Sequence, residues 1–195
     1  MELAGLYQDI NNWVGGISRE EFERIRPYFK LLTTNKRQSL IAAGGLNNKM
    51  FFVESGLVYS YKTLDNGQIR VITFAKEADW ISDLESFLSG NRAQLSVETL
   101  EASSLWSITK EDCDLARGKS PKFSDYITIL YELCAKNLLS QLSQVLSKDA
   151  QHRYNQILTE RADLLQRAPQ YLIASYLGVL PSSLSRIRNS RKVIS

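Results

Sequence analysis

The feature that most constrains this chain is a hydrophobic period that changes twice. From about Leu31 to Ile108 apolar residues recur at every second position, and on either side they recur at every third or fourth. A period of two sends alternate side chains to the two faces of a strand, whereas 3.6 lines one face of a helix, so strands and helices must be segregated along the chain. The central stretch KMFFVESGLVYSYKTLDNGQIRVITFAKEADWI is rich in Val, Ile, Phe, Tyr and Thr and is cut by turn signals. Asp65-Asn66-Gly67 is a strong one, because these residue types tolerate positive φ and alternating strands flank them. Gly44-Gly45 and Ser55-Gly56 mark further turns, and AQLSVETLEASSLWSIT reads as two more strands. The block is expected to be an antiparallel β unit, either a sandwich or a barrel.

The flanks are helical. Leu3, Leu6, Ile10 and Trp13 share a face before Gly15-Gly16, and Ser18-Arg-Glu-Glu21 is a capping box opening a second helix with Phe22, Ile25 and Phe29 on one side. Pro27 should end or kink that helix near Arg26. A short helix is expected around Lys110–Asp114. Pro121 then precedes a long pattern in which Ile127, Tyr131, Cys134, Leu138, Leu142 and Val145 form a stripe without glycine or proline. A helix of about 27 residues spans roughly 40 Å, more than a domain of this size covers. With polar Asn137 and Gln141 beside the stripe, a two-helix interface between copies of the chain is expected. Packing of the whole stripe on the β unit is the alternative. Further short helices are expected from Ala150 to about Leu158, near Asp163–Gln166, over Pro169–Leu177 and over Pro181–Arg191, with a boundary near Asp149.

Composition excludes several classes. With 195 residues, 44% hydrophobic and 23% charged, the chain has the makings of a globular protein with a real core. No segment has the roughly 18 apolar residues of a membrane span, and the start MELAGLYQDINNWVGG does not read as a secretory signal; a cytoplasmic location is expected. Two cysteines, Cys113 and Cys134, and a single histidine, His152, form no metal or hydrolase motif. Neither a metal, a cofactor nor an enzymatic activity is expected. The carboxylates Glu77, Asp79, Asp83 and Glu85 cluster in sequence, and turn and surface roles are expected for them. Charge is uneven: from His152 onward seven basic residues face two acidic ones, a net +5, leaving −2 for everything before. A basic terminal module of this kind suits a polyanion.

The stretch SYLGVLPSSLSRIR (Ser175–Arg188) sharpens that reading. Ile173, Ala174 and Leu177 offer an inward face, Gly178 a left-handed turn residue, and Pro181 a helix restart with Leu184 and Ile187 packing back. An ordinary antiparallel helix pair has the same spacing. In a helix-turn-helix, however, Ser182, Ser183, Ser185, Arg186, Arg188 and Asn189 fall on exposed or edge positions. Arginine there pairs bidentately with guanine, serine bonds bases or phosphates, and Arg188, Arg191 and Lys192 offer phosphate contacts.

In this order of parts the chain resembles the Crp/Fnr family of bacterial transcription regulators. The resemblance rests on FFVESGLVYSYKTLDNGQIRVITFAKEADWISDLESFLSG and on RYNQILTERADLLQRAPQYLIASYLGVLPSSLSRIRNSR. The second is similar to family members whose terminal motif runs IASYLGITPETLSRIR. It implies an α+β fold: an N-terminal antiparallel β-roll, cupin-like and cyclic-nucleotide-binding-like, with flanking helices (1–120), a long dimerisation helix (121–149), and a C-terminal all-α helix-turn-helix domain (150–195). Implied partners are double-stranded DNA with a pseudo-palindromic operator, a second copy of the chain, and, among those the family allows, RNA polymerase.

Departures from the family pattern matter equally. Where nucleotide-binding members hold a Gly-Glu-Leu and an Arg-Ser pair to clamp ribose and cyclic phosphate, this chain has Ser82-Asp83-Leu84 and Ala93-Gln94, with Arg92 one residue away. A buried phosphate without its guanidinium is poorly compensated, so an effector other than cyclic AMP, or none, is expected. Cysteine clusters and haem ligands of other sensor members are missing too. Before the recognition-helix proline stands Leu180 instead of a capping Ser or Thr, a loss of about 1 kcal/mol. The chain stops soon after that helix, so the family's β wing is expected to be short or absent. A sensing or protein-binding module with a degenerate DNA half is the competing expectation.

Overall fold

The computed structural model describes residues 4–147 and 149–191. Helices α1 (Ala4–Val14) and α2 (Arg19–Ile25) come first, followed by a 3-10 turn over Arg26–Tyr28. Pro27 sits inside that turn, so α2 ends where a missing N–H would first break its ladder. Ser18 caps α2 by accepting from Glu21 N–H at 3.1 Å. The reciprocal half of the expected capping box is not made. The Glu21 carboxylate instead accepts from Ser120 Oγ and Lys122 N, tying α2 to the start of the long helix.

The strand block yields β1 (Lys30–Thr34), β2 (Ser39–Ile41), β3 (Lys49–Ser55), β4 (Val58–Thr63), β5 (Ile69–Ala75), β6 (Trp80–Ile81), β7 (Ser96–Thr99) and β8 (Ser103–Thr109), with α3 (Leu84–Ser89) between β6 and β7. Two four-stranded sheets result, ordered β1-β8-β3-β6 and β2-β7-β4-β5. Pairing of β1 with β8, β3 with β8, β3 with β6 and β2 with β7 is antiparallel. The expected antiparallel β unit is thus present as an open sandwich of the roll type.

Strand β3 shows why one sheet needs cover on both faces. Met50, Phe51, Phe52 and Val53 are all buried, which alternation permits only if each face meets something apolar. Phe51 and Val53 join Leu105, Val58, Val97 and Ala93 in a core between the sheets. Met50 and Phe52 join Trp106 and Ile108 in a second core, with Leu6, Ile10, Phe22 and Ile25 from the N-terminal helices. Helices α4 (Lys110–Lys119) and α5 (Pro121–Ser147) complete it through Cys113, Ala116, Phe123, Tyr126 and Ile127. Within this core Trp80 Nε1 donates to Tyr126 OH at 2.7 Å, and Tyr126 OH donates to the Asp9 carboxylate.

Burial in that core shifts titrations upward. Desolvation pushes the Cys113 thiol up to about 11 from 9.0, and Tyr131 up to about 12 from 10.0. Burial and then the nearby Asp9 carboxylate hold Tyr126 well above the ordinary phenol value. The unfolded chain therefore ionises first as pH rises. Stability fully present below about pH 9 is expected to fall through the 9–12 range. Urea midpoints between about pH 8 and about pH 11 should decline, and Cys113→Ala should flatten the part of the decline that begins near pH 9. A flat profile in the unaltered chain would refute this placement of the groups.

The chain divides into two compact units, Met1–Ser60 with Phe74–Cys134, and Tyr61–Thr73 with Ala135–Ser195. The second unit holds the tip of the β4–β5 hairpin, the distal part of α5, and helices α6 (Ala150–Glu160), α7 (Leu164–Arg167), α8 (Gln170–Leu177) and α9 (Pro181–Arg191). Among the described residues, Val71, Tyr154, Ile157, Leu164, Ala168, Leu172, Ile173, Ala174, Leu177 and Leu184 are its buried apolar residues. Asp149, at the expected boundary, is the N-cap of α6 and accepts from His152 N–H.

Candidate functional site

The first candidate site lies around α3. Asp83 is the N-cap of this helix and only 2% exposed, so the expected surface role for it is corrected. Its carboxylate accepts from Ser86 N at 3.2 Å, from Gln94 N at 2.5 Å and from Leu95 N at 2.7 Å. Three backbone donors converging on one anion make a built anion cradle, and charge-assisted bonds of this type are about twice as strong as neutral ones. Asn47 supports the loop from behind, its Nδ2 donating to Ser82 Oγ and Ser86 Oγ at 3.3 and 3.2 Å. Ser82 Oγ donates in turn to Lys49 O at 2.7 Å. Glu77 and Asp79 do take turn roles, accepting from Gly56 N and Lys76 N.

Of the residues expected here, with Leu84 on the helix-side core and Ala93 on the core between the sheets, Asp83 and Gln94 are joined directly. Arg92 is not. It is exposed, its NH1 donates to Gly44 O at 2.7 Å, and its backbone bridges Leu46. Ala93 is buried between the sheets, exchanging backbone bonds with Gly44 and Gly45. Arg92 therefore directs one guanidinium N–H to Gly44, and an internal carboxylate already occupies the backbone donors that an anion would use. On β4, Ser60 lies two residues from Val58 and so on the same face, which meets the core between the sheets. Its buried hydroxyl has no hydrogen-bond partner among the described residues. A recess of about 270 Å³ opens elsewhere, lined by Lys30, Leu32, Leu40, Lys49 and Phe51, and includes none of residues 82–94. Sequence reasoning missed Asn47, Ser86 and Leu95. Asn47 is distant in the chain, and Leu95 contributes only its amide.

The long helix α5 is used in two ways. Ile127, expected on the dimer stripe, is fully buried against Phe123 and Tyr126. It is corrected to a core residue, because the roll's own helices already cover it. Tyr131 and Cys134 are half-buried. In the second unit the helix bares Leu138 (54% exposed), Leu139, Leu142 (56%) and Leu146 (78%). At 100° per residue these four fall within one face about 100° wide. Leu139 and Leu146 were not in the expected stripe, and the side chain of Val145 lies outside the described residues.

The third candidate site is the pair α8 and α9. Gly178 takes φ 71° and ends α8, with Gly178 N donating to Ser175 O and Val179 N to Ala174 O. Pro169 stands at the N-cap rather than inside α8. Leu184 is buried, Ile187 and Ser183 half-buried, and Ser182, Ser185, Arg186, Arg188 and Asn189 exposed. Ser185 Oγ donates back to Pro181 O at 3.1 Å. Leu180 is 66% exposed and caps nothing. The side chain of Arg191 and all of Lys192 lie outside the described residues.

Among the described residues no group of three or more His, Cys, Asp or Glu could hold a metal ion, and no helix is long and apolar enough to cross a membrane. Residues 32–114 match the cyclic nucleotide-binding domain family. No curated protein matches the sequence significantly. Among solved structures, a CooA mutant from Carboxydothermus hydrogenoformans is similar with TM-score 0.74 and 18% identity, over 96% of this chain and 84% of that one. The c-di-GMP responsive global regulator CLP of Xanthomonas campestris gives 0.71 and 15%, over 90% and 92%. The catabolite activator protein of Thermus thermophilus gives 0.60 and 18%, over 93% and 85%. At such identities the likeness is one of fold: the β-roll of this chain is a cyclic-nucleotide-binding-domain fold, shared with regulators of this kind.

Proposed function

We propose that this chain is a sequence-specific DNA-binding transcription regulator of the Crp/Fnr type. It acts as a homodimer through the leucine face of α5, and its roll answers to an effector other than cyclic AMP, or to none. The observation that carries the reading is α9. A short helix follows a left-handed glycine, is anchored by Leu184, and presents Ser182, Ser185, Arg186, Arg188 and Asn189 together to solvent. That is the chemistry of a recognition helix in a major groove. The likeness to CooA and CLP over both halves of the chain supports it. A cytoplasmic location accords with such a target.

Against cyclic AMP stands the filled cradle. Asp83 takes the amides of Gln94 and Leu95, and Arg92 is engaged with Gly44. A cyclic phosphate would have to displace a carboxylate and would find Arg92 turned to another partner. The orphan hydroxyl of Ser60 is a polar group that a different, uncharged effector inside the roll could engage.

Selection from a random duplex library tests the reading. The expected product is a palindromic motif with half-sites about 34 Å apart, bound less tightly as salt rises. No enrichment even at low salt would favour a degenerate DNA half, to which the exposed Leu180 would then belong. On the selected operator, Arg186→Ala should cost about 1–3 kcal/mol and relax preference at one base pair. An unchanged preference across operator variants would remove Arg186 from base reading.

A further inference from the structure

Strand β5 ends its sheet, so along one edge no neighbouring strand takes up its backbone groups. Within the second unit (Tyr61–Thr73 with Ala135–Ser195) that edge is met by a side chain of α8. Ser175 Oγ accepts from Val71 N at 2.9 Å and donates to Ile69 O at 2.7 Å. Ile69 and Val71 are alternate residues, so their backbone groups face the same edge. One residue of a parallel neighbouring strand would make this same pair of bonds through its own C=O and N–H. The serine hydroxyl therefore stands in for a strand residue.

Arg70, between those two, adds a second bond. Its NH1 donates to Ser175 O at 3.2 Å, at the carbonyl-rich end of α8, where a cation is favoured. The guanidinium lies so close to Gly178 that a Cβ there would meet Arg70 NH1 at 2.7 Å. Gly178 is demanded by its positive φ, and a larger residue there would also push the Arg70 guanidinium aside. Arg153 NH2 donates to Leu177 O at 2.8 Å from the α6 side, so the end of α8 is gripped from two elements.

We propose that the β4–β5 hairpin and α8 form a latch, with Ser175 as its bolt, that holds the helix pair in its DNA-competent setting. Strand β5 runs on covalently through Phe74 and Ala75 into the first unit, so a shift of the strand in the roll reaches α8 through this edge. The latch holds the competent setting and does not block it, because Ser182, Ser185, Arg186, Arg188 and Asn189 are all exposed while it is closed. This rests on the reading of α8 and α9 as a DNA-binding pair.

The test uses the full chain and two readouts. Hydrogen exchange at the Val71 amide reports the latch itself, and affinity for the selected operator reports its coupling. Ser175→Ala is expected to speed Val71 exchange at least tenfold and to weaken operator binding about tenfold. Arg70→Ala should do the same to a smaller extent, and Ser175→Thr, which keeps a hydroxyl, should stay near the unaltered chain. Val71 exchange unchanged by Ser175→Ala overturns the latch whether or not DNA is bound. Faster exchange with unchanged operator affinity overturns the coupling. Failure of the DNA reading would show instead in the unaltered chain, as a lack of any duplex binding.

Discussion

Replacing Asp83 with alanine is expected to cost the first unit roughly 3 kcal/mol and to leave a site that takes up an anion. The carboxylate is 2% exposed and serves three backbone donors, Ser86, Gln94 and Leu95. Each buried donor left without an acceptor costs about 1–3 kcal/mol. Contributions within one network do not add, and water entering the vacated space offsets part of the sum. An asparagine side chain in its place would keep one acceptor oxygen, so Asp83→Asn should cost about half as much. The urea midpoint measures both. Inorganic phosphate should then raise the midpoint of Asp83→Ala, because an anion that binds only the folded state stabilises it. The unaltered chain, whose amides are already engaged, should not respond. A midpoint unaffected by Asp83→Ala, or an equal phosphate response in both proteins, would show that Asp83 does not fill the cradle.

Charging the leucine face of α5 should abolish self-association. Leu138, Leu139, Leu142 and Leu146 are exposed together. Covering what remains exposed of each would contribute about 1–2 kcal/mol, set against an association cost of several kcal/mol. With Leu138→Glu and Leu142→Glu combined, that apolar gain is lost and carboxylates from two chains would face one another. The dissociation constant should rise at least about 1000-fold, about 4 kcal/mol. Sedimentation should find a dimer for the unaltered chain at micromolar concentration and a monomer for the double variant. Operator affinity should fall in step, since two half-sites bound as a unit owe much of their avidity to the link. Folding of the first unit should be preserved, because its core along α5 ends with Ile127 and the half-buried Leu130 and Tyr131. A monomeric unaltered chain would remove the homodimer from the proposal.

Much of the architecture could be read from local pattern. Alternation between Leu31 and Ile108 marked the strands, and Gly67, at the predicted hairpin, adopts φ 77°. Pro27 and Pro121 bound helices where a proline should, and Gly178 turns the chain between α8 and α9. Each of these depends on a residue and its near neighbours, so periodicity and backbone preference suffice to find it. Other features depend on parts of the chain that meet only after folding. Ile127 and Leu138 belong to one periodic stripe, yet the first is enclosed and the second bare, because the roll's helices cover α5 only so far. Asp83 looked like one of several surface acids. What makes it an internal anion is the direction of two amides 11 and 12 residues further on, and amides carry no side-chain signature. Ser175 meets Val71 across 104 positions, through a sheet edge whose freedom is set by strand order. Sequence alone determined most of the strands and helices, though not α3 inside the strand block, because that choice is made over a few residues. Tertiary structure decided which apolar face is covered and which donors already hold an acceptor, because both are set by atoms far away along the chain.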